Sequence, residues 1–126
     1  KSYLKEWDIQ TKKEITIGFM QMELFEEALL VLQSFQKDWT KNENLLELDL
    51  LNQCQKHIEA LSRAQTLIEE NPEDLDLLME SEYQKAQSYF KLGDKEQALA
   101  IIKVLDDKNS DYKNVSFLKK IWSIEI

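Results

Sequence analysis

The sequence predicts an all-α protein, and two observations carry that prediction. Glycine and proline, which sheet proteins need for their turns, occur only twice and once in 126 residues, whereas good helix formers are abundant. Apolar residues also recur at helical spacing on both sides of short breaks, most clearly in the stretch 86–105, AQSYFKLGDKEQALAIIKVL. We therefore expect pairs of helices joined by short turns.

The first predicted pair comprises helices over 10–22 and 24–35. Its apolar stripes contain residues such as Phe19 on the first helix and Leu32 on the second. Its turn holds Glu23, so the break is not sharply specified. Residues 1–9, ahead of this pair, are either the end of an earlier helix or a strap over the first pair.

The second predicted pair comprises helices over 45–54 and 58–70 and follows a polar connection, 37–44. The dipeptide Asn71-Pro72 ends it, because the residue before a proline disfavours helical backbone. The turn between its helices contains no glycine. One continuous helix is therefore the alternative at residues 53–57.

The third predicted pair begins with a long helix over 75–92 and is the most sharply marked. Gly93 can take the left-handed conformation that ends a helix, and Asp94 is expected as the N-cap of the next helix, with Gln97 completing a capping box. A break at 107–111 and a seventh helix over 112–124 follow. That last helix suits a cap over the third pair.

One alanine near the start of each second helix sets a common register. The three are Ala28, Ala60 and Ala98, which lie 32 and then 38 residues apart. This period is typical of two-helix repeats. The longer interval is explained if the helix over 75–92 is one turn longer than the other first helices, because an insertion of about four residues keeps the same face inward.

These positions match a known repeat pattern. In the third pair it runs through Ala86, Tyr89, Gly93, Ala98, Ile102, Leu105 and Ser110. In the first it runs through Thr16, Phe19, Glu23, Ala28, Leu32 and Phe35, and in the second through Leu48, Leu51, Gln55, Ala60, Ala64, Leu67 and Pro72. The chain thereby resembles the tetratricopeptide-repeat family, and it is similar to triplet modules in multidomain bacterial proteins of signalling, surface motility and pilus systems.

The resemblance implies a right-handed α-solenoid of three helical hairpins, about 10–40, 41–72 and 73–110, with a capping helix over 111–126. Residues 1–126 are then a single domain, expected to be excised from a longer protein. The first helices of such an array line a concave groove that binds a peptide or helix of another protein. The positions of the packing stripe, such as Phe19, Tyr89 and the three alanines, are interpreted as packing residues.

Carried onto this chain, the groove positions of the family fall just beside the packing stripe. They are Lys13, Ile17, Met20, Gln21, Leu45, Asp49, Asn52, Gln53, Tyr83, Gln87, Phe90 and Lys91. Relatives that bind chaperone C-termini grip a carboxylate with lysine and asparagine. Here only Lys13 matches, whereas Ile17 and Asp49 replace asparagines and Tyr83 and Gln84 stand near expected basic positions, so we argue against an anionic tail as ligand.

What remains is an amphipathic groove in which apolar side chains are flanked by amides. Aromatic anchors such as Tyr83 and Phe90, ringed by amides such as Asn52 and Gln87, suit an extended or short helical segment of a partner. The alternative is that Tyr83 and Phe90 are buried against the neighbouring long helix or the N-terminal strap.

Charge and cysteine content exclude several partner classes. The formal net charge of −8 argues against nucleic acid and anionic membrane surfaces, which both need a concentrated positive field. The single cysteine, Cys54, cannot form an internal disulfide, and it is expected as a buried small hydrophobic residue. A reducing, cytoplasmic location is therefore expected.

Residues 69–82 contain seven acidic and no basic residues, and they are either a dock for a basic segment or an ordinary solvated loop.

Candidate chemical sites are weak, so we expect no enzyme, no metal and no cofactor. Asp107, Asn109 and Asp111 have the spacing of a calcium-loop start, but Tyr112 and Leu118 stand where that loop needs glycine and glutamate. His57 has no cysteine or histidine at metal-ligand spacing and is interpreted as a turn or surface residue.

Three functions are compatible with the sequence. The first is a protein-interaction scaffold that holds a partner segment in a bacterial signalling or motility assembly. The second is a peptide-sensing regulator that controls an attached output domain. The third is a self-association module, in which a homodimer forms through the terminal helix. Phe117, Trp122 and Ile124 span too wide an arc for one buried face, which favours equally that more protein follows or that another chain covers them.

Overall fold

The computed structural model describes residues 7–125, and within them all regular structure is helical. The α-helices are α1 (Ile9–Gln21), α2 (Phe25–Gln33), α3 (Lys41–Gln53), α4 (His57–Glu70), α5 (Leu75–Lys91), α6 (Lys95–Lys108) and α7 (Val115–Glu125). A short 3₁₀-helix, Gln36–Asp38, follows α2. The prediction of an all-α protein is confirmed for this part of the chain. The predicted segment ahead of the first pair lies mostly outside the described residues.

The chain divides into two compact units, residues 1–55 and 56–126. In the first unit, α1 packs on α2 and α2 packs on α3. In the second unit, α4 packs on α5, α5 on α6 and α6 on α7. The division falls at the turn between α3 and α4, which is inside the second predicted repeat.

Three turns of the chain have the same form. The residues between α1 and α2, between α3 and α4, and between α5 and α6 are 22–24, 54–56 and 92–94. The middle residue has positive φ in each: 59° at Glu23, 64° at Gln55 and 96° at Gly93. This left-handed residue ends a helix. The predicted breaks at Glu23 and Gly93 are therefore present, and the turn at Gln55 rules out the alternative of one continuous helix there.

Each of these turns is followed, five residues after its left-handed residue, by an alanine without exposed surface. These are Ala28, Ala60 and Ala98. A methyl side chain lets the backbones of neighbouring helices approach closely. The predicted packing role of the alanines is confirmed. Tyr89 is half-buried and packs against the core of the second unit, as predicted, and Phe19 is half-buried.

The predicted start of α3 is wrong by four residues. α3 begins at Lys41 rather than at residue 45, because Thr40 and Glu43 form a capping box. The backbone N–H and the hydroxyl of Thr40 donate to Glu43 Oε1 over 2.8 Å and 2.6 Å. The polar connection before α3 is accordingly shorter than predicted. Within it, Trp39 Nε1 donates a hydrogen bond to the Leu32 carbonyl over 2.9 Å.

Helix α5 is longer than the other two first helices by about one turn. It has 17 residues, whereas α1 and α3 have 13 each. This confirms the explanation given above for the longer spacing between Ala60 and Ala98. The last helix is shorter than predicted, because residues 112–114 form a turn in which Lys113 has a φ of 45°.

The core of the second unit lies between α5, α6 and α7. Its α7 members are Val115, Leu118 and Trp122, and they pack with residues such as Ala86 and Ile102. Among the described helices none is both long and apolar enough to cross a bilayer. The core fixes α7 on the second unit, which determines what part of α5 stays accessible.

Candidate functional site

The candidate residues of the first unit form two equally spaced sets. On α1 the set is Ile17, Met20 and Gln21, and on α3 it is Asp49, Asn52 and Gln53. Residues three and four apart share one helix face, so each set presents three neighbouring side chains. Ile17 is 46% exposed. Gln21 and Gln53 are exposed as well, while the others are half-buried.

An ion pair joins the two helices that carry these sets. Lys13 Nζ on α1 lies 3.6 Å from Glu43 Oε2 on α3, so this ion pair ties α1 to the first turn of α3 within the first unit. Burial raises the pKa of Glu43, but the hydrogen bonds from Thr40 and the charge of Lys13 outweigh it, and the pKa is lowered overall. Lys13 therefore has a carboxylate partner inside the chain.

Tyr83, the first candidate on α5, is in the interior of the second unit. It is only 8% exposed, and its hydroxyl donates to Asn114 Oδ1 over 2.6 Å. Its ring meets the ring of Tyr112 edge-on at a centroid distance of 6.1 Å, and Lys113 Nζ lies 4.6 Å from the Tyr83 ring centroid. The loop before α7 therefore covers this side chain.

Phe90, the second aromatic candidate, lies against α7. Its ring stacks on that of Trp122 with a centroid distance of 4.4 Å and an interplanar angle of 8°. Lys95 Nζ lies 5.5 Å from the centroid of the Phe90 ring. Tyr83 is thus buried and Phe90 is partly buried, each against α7 or the loop before it, which agrees in part with the alternative in which the two aromatic candidates are covered. The N-terminal strap of that alternative lies mostly outside the described residues. Gln87 is half-buried and Lys91 is exposed on α5.

Glu80 is a polar centre of the second unit that the sequence analysis missed. Its carboxylate accepts hydrogen bonds from the hydroxyl of Tyr112 over 2.6 Å and from Gln84 Nε2 over 3.1 Å. Lys113 Nζ forms an ion pair with it at 2.7 Å. Burial, followed by the hydrogen bond and charge of Glu80, raises the pKa of Tyr112. The network holds the loop before α7 on α5.

Two single-residue predictions need correction. His57 was expected at a turn or surface, but it is the first residue of α4 and is buried. Burial, and then the charge of Lys91, lower its pKa. Cys54 was expected to be buried, but it is half-exposed at the C-terminal end of α3.

The calcium-like spacing at 107–111 forms a local turn. Asn109 Oδ1 accepts a hydrogen bond from the backbone N–H of Asp111 over 3.0 Å, as in an Asx turn. Across residues 7–125, no three histidine, cysteine or acidic side chains are grouped so that they could hold a metal ion.

Comparisons with known proteins assign no family. No protein-family model matches the chain, and neither a curated protein nor a solved structure matches it. The resemblance to tetratricopeptide repeats therefore stays a prediction that rests on the residues of the chain itself.

Proposed function

We propose that this protein is an interaction scaffold that binds a peptide or short helix of a partner protein on the face formed by α1 and α3. The observation that carries the proposal is the pair of equally spaced sets at 17, 20, 21 and at 49, 52, 53, on two helices that the Lys13–Glu43 ion pair joins. Such a face combines apolar contact with amide hydrogen bonding.

The proposed architecture is a tetratricopeptide-like solenoid of helical hairpins with α7 as its cap. Two recurring features support it. The same three-residue turn with a left-handed middle residue occurs three times, and each left-handed residue is followed at the same distance by a fully buried alanine. The first helices of such an array carry its binding positions, and Gln87 and Lys91 are the accessible ones on α5.

The chemistry of the α1–α3 face indicates the kind of segment that it accepts. Ile17 and Met20 offer apolar contact, and Gln21, Asn52 and Gln53 offer amides that can hydrogen-bond the backbone of an extended segment. Asp49 disfavours a terminal carboxylate, because like charges in a binding site reduce affinity. We infer an uncharged or basic segment, within an assembly of the signalling or motility type that the resemblance implies.

The proposal is tested by comparing which proteins of the source-cell lysate the immobilised chain retains. The test variant is Ile17→Asp/Gln53→Ala, and the matched control is Leu30→Asp on α2, whose side chain is 62% exposed. Mass spectrometry is expected to find a protein that the unchanged chain and the control retain and the test variant loses. Equal retention by all three would contradict the binding face, provided that circular dichroism shows equal helical content.

A second candidate function, self-association, is favoured by the outer face of α7. Phe117, Ile121 and Ile124 are exposed there, about a third of a turn around the helix from the buried Leu118 and Trp122. An exposed apolar stripe is typical of a contact surface. Sedimentation velocity of the unchanged chain and of Phe117→Ser/Ile124→Ser tests it, since a dimer formed through this stripe would dissociate in the variant.

A further inference from the structure

An apolar cleft opens on the second unit between the end of α4, the first half of α5 and the end of α6. It encloses about 530 Å³, and its walls include Ile68, Leu75, Leu78 and Leu105. A smaller depression of about 270 Å³ shares Leu105 with it and continues over Val104 on α6. The two together form one apolar surface, which is called the α4–α6 cleft below.

Large apolar side chains of this cleft are left in water. Leu75 is 72% exposed and Val104 is 52% exposed. Covering such groups is favourable in proportion to the apolar area removed from water. The cleft therefore has both the concave shape and the apolar surface that an inserted side chain needs.

Uncompensated negative charge lies beside the cleft. The stretch 69–82 contains seven acidic residues and no basic one. Glu70, Glu73 and Asp76 are exposed, and they form no ion pair with any residue that the structure describes. Glu82 at the wall is partly compensated by Lys85 at 3.9 Å, and Lys108 is the cation among the lining residues. The rim thus keeps a net negative field.

The cleft is separate from the candidate residues discussed above. Leu75, Leu78 and Glu82 lie between about a third and a half of a turn around α5 from Gln87 and Lys91, since successive residues of a helix are rotated by about 100°. The inference therefore does not rest on the proposed function of the α1–α3 face.

We propose that the α4–α6 cleft docks a basic amphipathic segment of a partner protein. Large apolar side chains of the segment enter the cleft beside Leu75 and Val104, and its lysine or arginine side chains face Glu70, Glu73 and Asp76. Opposite charge determines the choice of occupant, because lysine and arginine side chains are attracted to the exposed carboxylates beside the cleft.

The test uses the whole protein and two fluorescent 14-residue peptides. The probe has leucine at alternating three- and four-residue spacing and lysine at its other positions, and the second peptide has glutamate in place of each lysine. Fluorescence anisotropy is expected to show binding of the lysine peptide alone. It should weaken with added salt, because salt screens the exposed charges.

The apolar contribution is isolated by two variants of nearly equal exposure. Leu75→Ser removes a cleft residue, whereas Ile58→Ser removes a side chain that is 71% exposed, at the start of α4. Ile58 lies ten residues, or about 15 Å, along the helix from Ile68 in the cleft wall. We expect Leu75→Ser to weaken lysine-peptide binding about fivefold and Ile58→Ser to leave it unchanged.

The charge contribution is isolated by two double variants with the same change in net charge. Glu73→Gln/Asp76→Gln is expected to weaken binding and reduce its salt dependence, whereas Glu59→Gln/Glu96→Gln, at the starts of α4 and α6, is not. Equal effects of the test and control variants would overturn the proposal, because binding would then follow net charge alone. Absence of binding, or equal binding of the glutamate peptide, would also overturn it. Self-association that Leu75→Ser abolishes would replace the partner with a second copy.

Discussion

Replacing Trp122 by alanine is expected to release α7 from the second unit. Trp122 is 4% exposed and stacks on Phe90 at 4.4 Å. Removing a buried large aromatic side chain costs about 3–5 kcal/mol, of which the ring pair itself contributes about 0.5–1.5 kcal/mol. A domain is stabilised by only about 5–15 kcal/mol, so this loss is large. α7 has 11 residues and is too short to stay helical alone.

Hydrogen exchange and urea unfolding measure this effect. In Trp122→Ala, the amides of residues 115–125 are expected to exchange faster, while those of α1 in the other unit keep their rates. The matched control is Ile124→Ala, because Ile124 is on the same helix but is 82% exposed. Its unfolding free energy should stay within about 0.5 kcal/mol of the unchanged protein.

A double-mutant cycle with Phe90→Ala shows whether the two rings act together. The coupling free energy should be about 0.5–1.5 kcal/mol if they stack as described. A cost below about 1 kcal/mol for Trp122→Ala, or a cost equal to that of Ile124→Ala, would refute the packing. Phe90 would then again be a candidate for an exposed anchor, as the sequence predicts.

Three smaller predictions concern single side chains. The imidazole of His57, the one histidine of the chain, should titrate by NMR with a pKa below 6.5. The stability of the protein should therefore fall as the pH decreases through the unfolded-state pKa of this histidine. A measured pKa at or above 6.5 would contradict the burial of the His57 side chain. Because the pKa of Glu43 is lowered, its carboxylate stabilises the first unit at pH values above 4.5, the ordinary pKa of this group. In urea unfolding, the advantage of the unchanged protein over Glu43→Gln should therefore shrink as the pH falls to about 3. A constant difference would argue against the Thr40 and Lys13 contacts. Glu23→Gly should stabilise by roughly 0.5 kcal/mol and Gly93→Ala destabilise by about 1 kcal/mol in thermal unfolding, because both positions have positive φ, and effects of the reverse sign would contradict the shared turn.

Local features of the fold could be predicted because their signals are local. Gly93 ends α5 as its conformational freedom suggests, and the register of the buried alanines follows from their spacing. The length of α5 follows from that spacing as well. The start of α3 also has a local signal, since Thr40 and Glu43 have the spacing of a capping box, but the polar composition of residues 37–44 is equally typical of a connection.

The burial of the aromatic candidates could not be predicted in the same way. Tyr83 meets Asn114, 31 residues later, and Phe90 meets Trp122, 32 residues later. Helical periodicity indicates that α7 has an apolar face, but it does not indicate which part of α5 that face covers. The burial of His57 likewise depends on tertiary packing rather than on its neighbours in the sequence.

Photo-crosslinking in the source cells tests the binding face most directly. A benzophenone amino acid is placed at Ile17 on α1 or, as the control, at Leu30 on α2, since both side chains are exposed on the first unit. We expect a distinct crosslinked partner from position 17 and none from position 30. The same products from both positions, or a partner captured from position 30 alone, would contradict the proposal that the α1–α3 face binds a partner segment.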